Sequence, residues 1–249
     1  MKRILYVVRQ TAYTIFSFCY FLGLAVEMTV RGFFLITLGG KTDENKLKYH
    51  RILQRKANFV VNHIPGTTFT FINTPKETFE KPSVIISNHQ SHLDLMAIMM
   101  LTPKLIILTK NWVWHNPFYG IVIRYADYFP ITDTEQMADT VAEKVSKGYS
   151  VMIFPEGTRS ADSHILRFHR GAFYLAEKLG LDIVPVFIKG FGDVLPKTSF
   201  HLHPGQLSLE VMPRIRRDDP SQMGDYREMT KRLHRMYVKK YDEEVCHHR

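Results

Sequence analysis

Apolar runs and longer amphipathic stretches take turns along most of this chain. Residues 84–87, 105–108, 151–154 and 183–188 are nearly continuous apolar runs, the pattern of strands covered on both faces of a sheet. Helical spacing over 91–101, 118–125, 134–147 and 171–179 separates them, and Gly148 and Gly180 close the last two helices. Residues 67–72 alternate with Phe69 and Phe71 on one face, and 128–131 and 207–211 are two further strands. Strands and helices in alternation predict an α/β fold, with a largely parallel central sheet flanked by helices. In such sheets, sites gather at the carboxyl ends of the strands.

The two ends of the chain follow other patterns. Residues 11–26 carry no charge, Glu27 and Arg31 interrupt at helical spacing, and 32–40 are again uncharged. Sixteen uncharged helical residues span about 24 Å, short of the roughly 30 Å hydrocarbon core. Lys2, Arg3 and Arg9 lie before the run and Lys41, Lys46, Lys48 and Arg51 after it. Basic flanks on both sides suit a helix or helical hairpin inserted in one leaflet. A single spanning anchor, a signal peptide cut near Ala25 and a buried core helix are the rival readings. Residues 41–62 read as a helix linking this segment to the body, ended by Pro65-Gly66. The expected division is therefore 1–62, a membrane-associated helical region with its linker, and 63–249, a catalytic body. That body closes with an amphipathic helix over 221–241, in which Met223, Tyr226, Met229, Leu233, Met236 and Tyr237 recur at three or four residues.

With 249 residues, 45% of them hydrophobic, the chain can bury a sizeable core. Its net charge of +9 favours an anionic partner. No nucleic-acid-binding module accompanies that charge, so a lipid surface or ligand phosphates are the expected partners and nucleic acid is not. Cys19 and Cys246 are too few and too badly placed for a disulfide framework; free thiols are the default reading, in keeping with a reducing compartment, and the catalytic body is expected on the cytoplasmic face.

Candidate chemistry sits where two predicted strands end. In Asn88-His89-Gln90-Ser91-His92-Leu93-Asp94 an imidazole and a carboxylate are five positions apart at a strand-to-helix junction. Asp94, one turn into the helix, can reach back to fix the tautomer of His89, which then serves as a base toward a hydroxyl. The plainer alternative makes Asp94 a helix cap and His89 a surface histidine. His89, His92 and Asp94 do not fall in the His-x-His-x-Asp-His register of binuclear hydrolases, so no metal is expected. The second junction reads Phe154-Pro155-Glu156-Gly157-Thr158-Arg159-Ser160. There Gly157 permits close backbone approach and Arg159 offers a planar fork to phosphate or carboxylate.

In these two blocks and the 67-residue offset from His89 to Glu156, the chain resembles the lysophosphatidate acyltransferase family, the glycerolipid acyltransferases. Phe168-His169-Arg170-Gly171 and Ile183-Val184-Pro185-Val186 resemble two further elements of that family, so the likeness runs over about 83–190. The resemblance implies an α/β catalytic domain behind an N-terminal membrane motif. Its reaction is transfer of a fatty acyl group from acyl-CoA or acyl carrier protein to the hydroxyl of a lysolipid, with 1-acylglycerol-3-phosphate as the expected acceptor. It also implies His89 as base, Asp94 as its orienter, and Glu156, Gly157, Thr158 and Arg159 as acceptor-binding residues, with no metal, cofactor or acyl-enzyme. One element departs from the family: Tyr128-Phe129-Pro130-Ile131-Thr132-Asp133 has a carboxylate where an acceptor-binding arginine is usual. Either Arg124, Arg170 or Lys189 then takes the anion, or the acceptor is another lysolipid such as an amino-acid lipid. A lipid-binding protein without catalysis on the same fold is the remaining alternative.

Overall fold

The structure, a computed structural model, describes residues 2–117, 119–131, 134–219 and 225–246. Phe118, Thr132, Asp133, Ser221, Met223, His247 and His248 lie outside the described residues. In chain order the elements are α1 (Lys2–Gly32) with a π-helical extension (Phe33–Leu38), α2 (Asp43–Asn62), β1 (Thr67–Ile72), β2 (Ser83–Ser87), α3 (Asp94–Met99) and β3 (Leu105–Thr109). There follow α4 (Asn111–Trp114), α5 (Gly120–Tyr125), β4 (Phe129–Pro130), α6 (Thr134–Ser146), β5 (Ser150–Ile153) and α7 (Gly171–Leu179). The chain ends in β6 (Asp182–Lys189), α8 (Phe191–Val194), β7 (Gly205–Val211) and α9 (Tyr226–Cys246).

The apolar runs become one sheet of seven strands in the order β1-β7-β6-β2-β5-β3-β4. From β6 to β4 all neighbours are parallel; β7 is antiparallel to β6, and β1 is parallel to β7. The expected α/β sheet flanked by helices is therefore present, with two of its strands reversed at one edge. Strands β2, β3 and β5 are buried at every position, as their unbroken apolar sequences require. β4 is shorter than the apolar stretch 128–131 because Pro130 lacks an N–H and sits on the edge strand.

Helices cover both faces. On one, Ile85, Ile107, Met152, Val184 and Ile188 pack with residues of α1, α2, α3 and α5. On the other, Val84, Ile86, Val151, Ile153 and Phe187 pack with α6, α7 and α9. α2 starts at Thr42, whose side chain accepts from Asn45 N–H at 3.2 Å, with Asp43 and Glu44 in its first turn. Its Tyr49, Leu53, Ala57 and Val61 are buried in the core, so it is a packed layer of the body and more than a link. Lys46 of α2 and Lys144 of α6 both pair with Asp127, at 2.5 and 2.7 Å, tying the loop before β4 to both helical layers.

The N-terminal segment is one apolar helix through Leu38, not a short run: Ile4–Leu38 is long and apolar enough to cross a membrane by length and composition. One side of it is docked on the body along much of its length. Gln10 Nε2 lies 3.3 Å from His203 Nδ1, Leu202 N–H donates to the Thr14 hydroxyl at 3.0 Å, and Lys56 pairs with Glu27 at 2.8 Å. Phe21 meets Tyr119 edge-on, and Gly32 is pressed against the Tyr125 ring, where a larger residue would collide. Ile4, Leu5, Val8, Ile15, Phe16, Phe18, Val26 and Phe34 stay exposed.

Gly190, between β6 and α8, has φ +82° and its missing Cβ would run into the Gln206 carbonyl of β7. Gly190→Ala is expected to cost at least about 2 kcal/mol, seen as a lowered midpoint in thermal unfolding.

Candidate active site

β2, β5 and β6 run parallel, and their carboxyl ends bring the two sequence motifs together. The helix predicted over 91–101 begins only at Asp94, because the turn before it is wrapped around that residue's carboxylate. Asp94 Oδ2 accepts the Gln90 N–H at 2.6 Å, the Ser91 N–H at 2.8 Å, and lies 2.8 Å from His89 Nδ1. Asp94 is fully buried and the His89 side chain is 17% exposed. An ionised Asp94 can only accept, so the bond to His89 puts the ring proton on Nδ1 and leaves Nε2 with a lone pair. The His89 ring also stacks on Phe154 at a centroid distance of 3.9 Å. Asp94 does not cap the helix: the N-cap is Leu93, which makes no side-chain cap bond, and the carboxylate turns back onto the amides of the preceding turn and the ring of His89.

Glu156 fixes the motif from the other side. Its Oε1 accepts His89 N–H at 2.8 Å and its Oε2 accepts Leu166 N–H at 2.8 Å. Both oxygens thus hold backbone, which makes Glu156 a brace between the His89 loop and the 160–170 loop. Ser160 N–H donates to the His89 carbonyl at 2.8 Å, and His169 N–H to the Pro155 carbonyl at 2.7 Å. Burial pushes the Glu156 carboxyl up to about 7, opposed by the Leu166 and His89 amides and aided by Asp94. Gly157 has φ +64°, and a Cβ there would come within 3.2 Å of His169.

The candidate anion binders are dispersed. Thr158 is exposed and Arg159 half-buried on the turn after β5. Among the described residues the Arg159 guanidinium has no hydrogen-bond or ion-pair partner, while burial lowers its pKa against the pull of Asp94 and Tyr119. Arg170 is exposed at the start of α7. Two others are already engaged: Arg124 donates to the Trp114 carbonyl at 2.8 Å, and Lys189 pairs with Glu244 of α9 at 2.9 Å. Asp133, the departure noted in the sequence, lies outside the described residues. Among the described residues no group of three His, Cys, Asp or Glu side chains is arranged to hold a metal ion.

Sequence reasoning passed over Asn88. Its carboxamide donates to the Ile188 carbonyl at 2.8 Å and accepts the Ile188 N–H at 2.9 Å, imitating a strand rung between β2 and β6. It also passed over Ser91, whose hydroxyl donates to the Leu195 carbonyl at 2.8 Å. A polar residue directly after a buried strand was the available signal.

A histidine oriented by a buried aspartate, at the carboxyl end of an α/β sheet, is an arrangement that can take a proton from a hydroxyl. Residues 66–189 match the acyltransferase family, and the chain belongs to it. More particularly, it is similar to 1-acyl-sn-glycerol-3-phosphate acyltransferases. The chloroplastic enzyme of Brassica napus is 34% identical over 125 residues, covering 48% of this chain and 36% of that one. The beta enzyme of Homo sapiens is 32% identical over 143 residues, covering 54% and 51%. The chain thus spans about a third to a half of the length of these relatives. In fold it is similar to the crystal structure of the 1-acyl-sn-glycerophosphate acyltransferase PlsC from Thermotoga maritima, with a TM-score of 0.72, 21% identity and 98% of each chain covered.

Glu156→Gln replaces one accepting oxygen with a donor and is expected to lower the melting temperature. Because the folded carboxyl titrates at about 7 and the unfolded one near 4.5, the wild type's contribution from Glu156 is full below about pH 4.5 and declines as pH rises through about 7. The stability gap between wild type and Glu156→Gln should therefore narrow across that window in melts at stepped pH.

Proposed function

We propose that this protein transfers a fatty acyl group from an acyl thioester, carried by CoA or acyl carrier protein, to the free hydroxyl of 1-acylglycerol-3-phosphate at a membrane surface. The observation that carries the reading is the His89 imidazole, pinned at Nδ1 by a fully buried carboxylate and unpartnered at Nε2 among the described residues. Family membership and the names of the relatives support the same reaction.

In this reaction the acceptor hydroxyl gives its proton to Nε2 as its oxygen attacks the thioester carbonyl. The developing imidazolium is stabilised by Asp94. The amides of His89, Gln90 and Ser91 are consumed by Glu156 and Asp94, so the oxyanion falls to other donors. The Thr158 and Arg159 N–H groups, which have no acceptor among the described residues, suit that role. Collapse of the tetrahedral species forms the ester and expels the thiolate, which recovers the proton from Nε2. Every proton and electron pair is accounted for without a metal, a cofactor or an acyl-enzyme. The half-buried, unpaired guanidinium of Arg159 suits the acceptor phosphate.

The membrane part of the proposal rests on α1. Its bonds to the body run from Gln10 to Thr37, whose hydroxyl lies 3.1 Å from that of Tyr125, a helical length of about 40 Å. A helix held to the body over that length cannot cross a bilayer alone, whereas its exposed apolar side can enter one leaflet with the body resting on the surface.

Incubating the protein in mixed micelles with palmitoyl-CoA or palmitoyl-carrier protein and a panel of lysolipids tests the acceptor. Phosphatidic acid formed in preference to other products supports the proposal; preference for a lysolipid without phosphate refutes the acceptor. His89→Ala should abolish turnover and Asp94→Asn lower it by at least about 100-fold, with circular dichroism unchanged for His89→Ala. Replacing Phe16, Phe18 and Val26 together by serine should weaken binding to anionic vesicles by at least about tenfold in a flotation assay.

A further inference from the structure

The C-terminal helix sends one polar atom into the middle of the sheet. Tyr237 of α9 is fully buried, yet its hydroxyl does not end among apolar side chains. It accepts the Val186 N–H at 3.0 Å and lies 3.0 Å from both the Ile86 and the Val186 carbonyl oxygens, to one of which it donates. Ser87 opposite Val186 is the last backbone-paired rung between β2 and β6, so the hydroxyl joins the ladder where the two strands begin to part. The next rung is the Asn88 carboxamide on Ile188, and the residue after Asn88 is His89.

Two successive β6 positions that face β2 are therefore closed by side chains, one from a distant helix and one from the loop itself. Both groups fasten the segment that leads into the base. Burial raises the Tyr237 phenol well above its ordinary pKa, which keeps the proton available for donation. Phe168, from the loop braced by Glu156, packs edge-on against the Tyr237 ring at 5.2 Å, so the same side chain also meets the second motif. The blander role, filling core volume, needs only the ring, which Phe187 and Phe168 already surround.

We infer that Tyr237 is a positioning residue for the acyl transfer: its hydroxyl sets how far β2 and β6 separate and so where Asn88 and His89 stand. This rests on the reading of His89 as the base. Tyr237→Phe keeps the ring and removes only the bond. It is expected to lower kcat by at least about tenfold with KM for both substrates within about twofold, since a small displacement of an oriented group costs rate and not binding. The His89 Nδ1–H resonance in NMR should shift or broaden in the same protein. Leu233→Ala, a cavity on the same helix away from the hydroxyl, serves as the control and should lower the melting temperature while leaving kcat within about twofold. A folded Tyr237→Phe protein with wild-type kcat and an unmoved His89 resonance overturns the inference, as does an equal loss of kcat in Leu233→Ala. If the wild type itself transfers no acyl group, the proposed function fails while the resonance still decides the placement of His89. Should Tyr237→Phe not fold, hydrogen exchange on the wild type decides: amides of 86–89 and 186–188 opening together with α9 support the coupling, and independent opening of 86–89 refutes it.

Discussion

Two carboxylates removed from water, Asp94 and Glu156, organise this protein. A carboxylate in a low-dielectric interior is tolerated only if its oxygens are met by donors. Here the donors are mostly main-chain amides: Gln90 and Ser91 for Asp94, all on Oδ2 while its buried Oδ1 has no partner among the described residues, and His89 and Leu166 for Glu156, one on each oxygen. Holding the two buried carboxyl groups therefore dictates the path of two loops. The loop after β2 is wound around Asp94, and the 160–170 loop is drawn against the loop after β2 by Glu156. His89 is the residue the two arrangements share, gripped by its own amide, its carbonyl and its ring nitrogen.

The sheet supplies the platform that makes such loops affordable. Parallel strands buried on both faces leave their carboxyl ends side by side, and at that edge the ladder cannot satisfy the last carbonyls and amides. Asn88 and the Tyr237 hydroxyl meet those groups with side-chain atoms. The reversal of β7 and β1 at one side closes the fold there, and the loop between α8 and β7 runs back to α1 through Leu202 and His203. Ser91 contacts Leu195 at the start of that same loop, so the apolar helix and the His89 loop are joined by one continuous segment.

Much of this was legible in the residues. Apolar runs such as 105–108 and 151–154 admit only buried strands, and a histidine and an aspartate five apart at a strand end are suggestive by themselves. Other features depend on partners far along the chain. Glu156 was read with the acceptor binders, but both oxygens go to backbone, a fact that requires knowing where the amide of residue 166 returns. Arg124 and Lys189 looked available as charges, yet a carbonyl at Trp114 and a carboxylate at Glu244 hold them. Tyr237 was one aromatic in an amphipathic stripe, and nothing in the spacing of a helix tells which tyrosine ends in a strand rung. The N-terminal run read as interrupted because Glu27 and Arg31 carry charge; in the fold Glu27 pairs with both Arg31 and Lys56, and the helix continues through them.

The grip on His89 has a consequence for protons. With Nδ1 fixed to Asp94 and one face stacked on Phe154, a ring flip that exchanged the nitrogens would break the bond to the carboxylate. A proton that enters at Nε2 must depart by the same atom, so the imidazole works as a chamber with a single door. In the proposed reaction each turnover then has to empty that chamber before the next begins, and whatever stands before Nε2 at that moment decides where the proton goes.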